Sequence, residues 1–139
     1  MYSTLINKIK ATLEAVSEIK AVYPYPLGED KLTKYPSAVF YPVSVDNEFH
    51  SDADNFKNYN FRCYLVTTTS GITKETLFTS VLPTLLDKTL EQFDTDWDCG
   101  SLNGNIIWQK VNFGNWGMTD EGNEAIIELN IIIKTLTNN

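Results

Sequence analysis

The sequence predicts an α+β fold: a mixed, mainly antiparallel sheet of about five strands, with two helices packed on one face. Two periodicities predict it. Apolar residues recur at three- and four-residue steps in two segments, and they alternate with polar residues in the others. The order is helix, three strands, helix, two strands. Because 139 residues is close to the commonest size of a domain, one domain over residues 1–139 is expected.

The first helix is predicted near the N-terminus, where Leu5, Ile9 and Leu13 form one apolar stripe. Ser3 or Thr4 is available as its N-cap.

The second helix is predicted to begin after Thr73, which fits as its N-cap, with Glu75 in the first turn. Its apolar stripe includes Leu82 and Leu85. Because Pro83 lies inside the pattern and proline cannot continue a helix unbroken, we expect a kink or a restart there.

Five segments have the pattern of strands. The second of them, Tyr35–Val45, contains Pro36 and Pro42. Because proline cannot donate a hydrogen bond to a strand ladder, this favours an edge strand or an irregular one. Residues 46–58 are acidic and predict an extended loop or a hairpin arm. Trp116 and Met118 are placed just after the fourth strand. The predicted strands are Ala21–Tyr23, Tyr35–Val45, Tyr59–Thr69, Ile106–Phe113 and Glu124–Thr135.

The charge balance argues against a nucleic-acid-binding surface. The net charge is −7, Lys and Arg are scattered singly, and Arg62 is the only arginine. Cys63 and Cys99 do not make a disulfide framework, and we expect both to be reduced. The N-terminal segment carries charges too early for a signal peptide, and the apolar runs are too short to span a bilayer, so no membrane association is expected.

Residues that could carry catalysis do not form a recognisable set. His50 is the only histidine, and no nucleophile motif accompanies it, so it predicts neither a triad nor a zinc site. Glu124 and Glu128 share one face of a strand, as a carboxylate pair would, but two exposed acids are more often solvated. We therefore expect no enzyme, no catalytic residue and no cofactor.

Alternating aspartates in residues 94–98 resemble the start of a calcium-binding loop. The sixth position holds Cys99 where the sharp turn needs glycine, and the twelfth holds Asn105 rather than glutamate. A solvated acidic turn is the preferred interpretation, and no metal ligand is predicted.

Aromatic residues in predicted loops and spare apolar residues on one sheet face indicate contacts with other proteins. Local anchoring of the loops is the alternative. The candidate contact residues are Phe49, Phe56, Trp97, Trp116, Met118, Ile126 and Ile132.

The layout of nearly the whole chain resembles the tail terminator (tail-completion) proteins of long-tailed bacteriophages and, more loosely, their head–tail joining relatives. The resemblance comprises the N-terminal helix, the strand Tyr35–Pro42, the acidic insertion, the strand Tyr59–Val66, the helix around Leu85–Leu90, and a final strand pair ending in Ile131–Ile133.

The resemblance implies a structural protein of the virion, assembled in the cytoplasm of the bacterial host. It implies a homo-oligomeric ring, commonly a hexamer, that caps the tail tube and joins it to the neck or connector. DNA would only pass through the lumen. Two alternatives are another neck component, such as a head-closure or tube protein, and a small ligand- or calcium-binding domain that uses the turn around Asp94–Asp98.

Overall fold

The computed structural model describes residues 1–28, 32–49, 54–99, 106–119 and 122–138. It confirms the α+β fold: a five-stranded, mostly antiparallel sheet in the order β1-β2-β3-β5-β4, with helices at the predicted places in the chain. The strands are β1 (Ala21–Tyr23), β2 (Ser37–Phe49), β3 (Asp54–Thr68), β4 (Ile106–Met118) and β5 (Glu124–Asn138). The helices are α1 (Tyr2–Glu14), α2 (Lys74–Thr76) and α3 (Leu82–Thr95), with a π-helical turn (Leu77–Val81) between the last two.

β3 lies at the centre of the sheet and pairs antiparallel with both β2 and β5. β4 pairs antiparallel with β5 and forms one edge. β1 pairs with β2 in parallel, Ala21 beside Ser37, and this pair makes the sheet mixed. A parallel pair needs a connection of about a dozen residues or more. Residues 24–36 are long enough to provide one.

The hydrophobic core lies against one face of β5. Ala125, Ile127, Leu129, Ile131 and Ile133 alternate along that strand, and each is 0% exposed. We call this side the core face of the sheet. The same buried cluster contains residues of β3, of α1 and of α3: Tyr59, Phe61, Cys63, Leu65, Leu5, Ile9, Leu13, Leu82, Leu85 and Phe93. That both helices pack on one face of the sheet stays a prediction.

The second helical segment begins as the sequence predicts. The Thr73 side chain accepts a hydrogen bond from the backbone N–H of Thr76 at 3.2 Å. A π-helical turn then precedes α3, and Pro83 lies in the first turn of α3. The backbone at Val81 and Leu82 is helical, and the Leu82 N–H bonds to the Leu77 carbonyl, so the helical segment continues through a π-bulge just before Pro83 and does not end and restart there.

Residues 46–49 and 54–58 pair with each other as the two strands of a hairpin, from Asp46 opposite Asn58 to Phe49 opposite Asn55. The β2–β3 register shifts between Pro42 and Ser44. β1 accompanies β2 only from Ser37 to Val39, so Pro42 lies where β2 has no neighbour on that side among the described residues. A missing N–H is tolerated at such a place.

No helix in the described part of the chain is both long enough and apolar enough to cross a membrane.

Leu129→Ala should destabilise the fold by about 2–5 kcal/mol, because a fully buried leucine leaves a cavity when truncated. Ile132→Ala, at a half-buried position on the opposite face of the same strand, should cost clearly less. Urea denaturation followed by circular dichroism measures both. Equal losses would show that the two faces of β5 are packed alike.

Candidate functional site

β4 forms an exposed edge of the sheet and carries two of the predicted contact residues. It continues to Met118, so Trp116 and Met118 lie in a strand and not in the predicted loop after it. The register with β5 places both on the core face, opposite Ile127 and Ala125.

We call the core-face residues of this strand the edge patch: Val111, Phe113, Trp116 and Met118. Phe113 is 42% exposed and Met118 37%, whereas their partners on β5 are fully buried. The rings of Phe113 and Trp116 are 5.0 Å apart between centroids. The patch is therefore an apolar continuation of the core to the surface, of the kind found where proteins meet.

The opposite face of the sheet also carries apolar residues, as the sequence predicts. We call them the second-face patch: Val39, Tyr41, Tyr64, Val66 and Ile126. The register places them side by side across β2, β3 and β5. The rings of Tyr41 and Tyr64 are 6.3 Å apart. Burial, the neighbouring Tyr41 and the charge of Glu128 raise the pKa of Tyr64, while Arg62 lowers it.

Polar contacts surround the second-face patch. Arg62 Nε lies 3.4 Å from a carboxylate oxygen of Glu128, an ion pair between β3 and β5 whose alignment is not that of a hydrogen bond. Tyr35, just before β2, donates its hydroxyl proton to Glu124 on β5 at 2.5 Å and so spans the end of β3. Glu124 and Glu128 thus share a face as expected, and each is held by a structural partner.

Ile132 and Phe56 lie further along the second face, toward the hairpin, and both are half-buried. Phe56 belongs to β3, which corrects its expected place in a loop, and Lys134 Nζ lies 4.6 Å from its ring centroid. A cation over an aromatic ring is favourable by about 0.5–1 kcal/mol at exposed sites. The Phe49 side chain and His50 are outside the described residues.

The aspartate segment after α3 joins three elements. Asp94 belongs to the last turn of α3, and Asp96 follows the helix. The Asp96 carboxylate accepts hydrogen bonds from Thr12 Oγ1 at 3.3 Å and Gln92 Nε2 at 3.4 Å, and it lies 3.8 Å from Lys8 Nζ. It therefore connects α1 to α3.

The backbone of the same segment binds β4. The Asp96 carbonyl accepts from Gln109 Nε2 at 2.7 Å, and the Trp97 carbonyl accepts from the Gln109 N–H at 2.6 Å. Trp97 itself is 56% exposed. Among the described residues no three His, Cys, Asp or Glu side chains cluster as metal ligands would. The segment acts as a structural clamp, a role that the alternating aspartates did not signal.

Both cysteines are free and buried. Burial raises the pKa of Cys63 to about 12, and chiefly burial raises that of Cys99 to about 11, so neither is a reactive thiolate at neutral pH. Cys99 has φ +54°, in the left-handed region that a turn usually assigns to glycine.

One open cleft lies between the end of α1 and α3, with a volume of about 250 Å³. Glu18, Lys88 and Glu91 are among the residues that line it. It is polar and slightly smaller than the roughly 300 Å³ at which small-molecule sites begin. Its polar lining offers little apolar contact surface, whereas the edge patch has two side chains, Phe113 and Met118, that are more than a third exposed.

No protein-family model matches the chain, and no curated protein matches it in sequence.

Asp96→Ala should lower the free energy of unfolding by about 1–3 kcal/mol, because Thr12, Gln92 and Lys8 lose their shared acceptor. The matched control is Asp94→Ala, on the exposed side of α3, which should stay within about 0.5 kcal/mol of the wild type. Chemical denaturation measures the difference. If the two variants were equally stable, Asp96 would not be a clamp.

Tyr35→Phe should change how stability depends on pH. The hydrogen bond to Glu124, then burial, then the charge of Glu124 raise the pKa of Tyr35 from 10.0 to about 12. Because the folded pKa lies above the unfolded one, the stabilisation by neutral Tyr35 is fully present below pH 10 and is lost as the pH rises from 10 to 12.

The stability difference between wild type and Tyr35→Phe should therefore be constant below pH 10 and shrink toward pH 12. Denaturant titrations at stepped pH measure it. Tyr25→Phe, at a tyrosine that is 49% exposed, serves as the control. A wild-type advantage that persists unchanged at pH 12 would contradict the assignment.

Proposed function

We propose that this chain is a structural virion protein, a tail terminator whose copies form a ring that caps the tail tube and joins it to the neck. The observation that carries the proposal is the presence of two separate apolar patches on opposite faces of one sheet. A ring subunit needs more than one contact surface, because it must bind neighbouring copies as well as the tube and the neck.

The chemistry of the other described residues supports an assembly role. The carboxylates that could have served catalysis, Glu124, Glu128 and Asp96, are each engaged with a neighbouring side chain. The order of helices and strands agrees with the layout on which the resemblance to tail terminators rests.

Electrostatics fit the same role. With a net charge of −7, the surface of the chain repels nucleic acid at most orientations. A ring through which DNA passes benefits from walls that do not bind phosphates, since each neutralised phosphate would slow passage by holding the strand. We therefore propose that DNA contacts are transient.

The ring is tested with purified protein by light scattering and negative-stain microscopy, alone and with the tail tube protein of the same phage. The expected result is a ring, a hexamer in the proposed form, at the end of each tube, and tubes that no longer lengthen. A protein that neither forms rings nor binds tube ends would refute the proposal. Binding to the connector alone would indicate another neck component.

A pair of variants tests whether the second-face patch is one of the contact surfaces. Ile126→Lys puts a charge into that patch and should weaken ring formation or tube binding at least about tenfold, a loss of 1.4 kcal/mol or more. The control, Phe78→Lys, removes a 40%-exposed aromatic from the π-helical turn and should leave both unchanged. Equal behaviour of the two variants would exclude the patch.

A further inference from the structure

The backbone of β4 has hydrogen-bonding groups that face away from β5, next to the edge patch. In an antiparallel ladder, successive residues point their N–H and C=O groups alternately toward the partner and away from it. The Gln109 N–H points away from β5, since it donates to Trp97, and the Thr119 N–H points toward β5, since it donates to Glu124.

These two ends fix the outward positions between them. Because Gln109 points away from β5, Val111 and Phe113 also point away from it, at steps of two residues. Because Thr119 points toward β5, its neighbour Met118 points away, and so does Trp116 two residues earlier. The register shift between Phe113 and Asn115 joins the two halves. The outward backbone groups therefore belong to the four residues whose side chains form the edge patch. Among the described residues, no backbone group outside β4 bonds to them apart from Trp97 at Gln109, and the Trp116 N–H donates to the side-chain Oδ1 of Asn115 at 2.9 Å, a bond that pairing would have to replace.

The backbone is tightly packed at the shift. A Cβ on Gly114 would lie 3.0 Å from the carbonyl oxygen of Glu128, so a side chain there would push the Glu128 backbone away by a few tenths of an ångström. Two outward apolar residues lie before the shift at Gly114 and two lie after it. The four outward positions are therefore symmetric about the shift in spacing and in apolar character, although the residue types differ. A bulge usually protects an edge because it breaks the alternation that a partner strand would match. An antiparallel copy of β4 carries the matching break.

We propose that the edge patch is a docking surface for a second copy of this chain, with the two β4 strands antiparallel about a two-fold axis at the register shift. Phe113 then lies opposite Trp116 of the second copy, and Val111 opposite Met118 of the second copy. The two five-stranded sheets become one continuous sheet. Because a two-fold contact must be self-complementary, the symmetry of the pattern selects this partner over an unrelated strand.

Charge permits the same arrangement. Within residues 110–119 the only charged side chain is Lys110, and in the proposed pairing it faces Thr119 of the second copy. No like charges meet at the axis, although each chain carries −7 in total. Cross-strand like charges would be destabilising, and they are absent from this interface by composition.

The area that the pairing buries determines its strength. An eight-residue strand pair with four apolar side chains per copy buries roughly 800–1,000 Å² in total, below the roughly 1,600 Å² of a standard stable interface. The dimer is therefore reversible and depends on protein concentration. The proposal does not rest on the ring, which requires head-to-tail contacts.

Sedimentation equilibrium across micromolar to millimolar protein tests the association. The wild type should show a monomer–dimer equilibrium, and Phe113→Lys should raise the dissociation constant roughly tenfold or more. Tyr25→Lys, at an aromatic that is 49% exposed beyond β1, is the control and should associate like the wild type. A wild type that stays monomeric throughout the range would overturn the proposal.

Cysteine cross-linking tests the two-fold geometry. With strands about 4.8 Å apart and a rise of about 3.4 Å per residue, the Cα atoms of the two copies of Asn115 lie about 6 Å apart, within reach of a disulfide, whereas those of Asn112 lie about 18 Å apart. Both residues are exposed on the second face. Mild oxidation should therefore link Asn115→Cys into dimers, and neither Asn112→Cys nor the wild type.

The outcomes separate this proposal from the proposed function. Cross-linking of both variants or of neither overturns the two-fold pairing. Rings that form on tail tubes but whose formation depends on Phe113 would show that the edge patch serves a head-to-tail contact instead, which also overturns it. Dimers without rings would leave the two-fold pairing in place and count against the tail terminator.

Discussion

The pairing of β3 with β5 holds the other elements in place. The two strands run side by side over fifteen residues each without a register shift, from Asp54 beside Asn138 to Thr68 beside Glu124. A slip of one residue would turn every side chain to the other face, and five fully buried residues of β5 would face the wrong side. The ladder is therefore fixed by burial, and the core, both patches and the position of β4 follow from it.

The strands outside this ladder are less regular, and the candidate surfaces lie on or beside them. β2 and β4 each carry at least one register shift. Within the described parts of the chain, β4 has one neighbouring strand and one clamp, the contact of Asp96 and Trp97 with Gln109. Beyond that clamp the apolar side chains from Val111 to Met118 continue the core without being covered to the same degree. An edge strand in this state can template pairing with another chain, and the proposed two-fold contact rests on that property.

The sequence predicted elements with a strong local signal and missed features set by distant partners. The periodicity of β5 and the cap at Thr73 are local, and both were found. The parallel pairing of β1 with β2 depends on where the chain returns, which no local pattern encodes. Trp116 and Met118 were expected in a loop, after a strand predicted to end at Phe113. The structure accommodates Gly114 at a register shift where a side chain would meet Glu128.

The aspartate segment is a second case in which a local sequence pattern did not reveal contacts with distant residues. Its alternation suggested a loop for a cation, yet the Asp96 carboxylate binds Thr12 and Gln92, and its carbonyl binds Gln109. The positive φ of Cys99 shows that a turn of the glycine type is present there. Single-sequence spacing identified the turn but not the partners of its polar groups, because the distant ones lie in α1, at the Asp96 carboxylate, and in β4, at the Asp96 carbonyl.

Symmetry relates the two proposed assemblies. A two-fold contact uses the same surface on both copies and is complete with two, whereas a closed ring of six needs two different surfaces on every copy. If the edge patch is occupied across a two-fold axis, the ring contacts must come from elsewhere, and the second-face patch and the hairpin of β2 and β3 are the surfaces that remain. If the proposed ring forms at the end of a tail tube, a weak dimer that shields its apolar edge in the free protein is compatible with it, because a reversible contact can be given up when a larger interface becomes available.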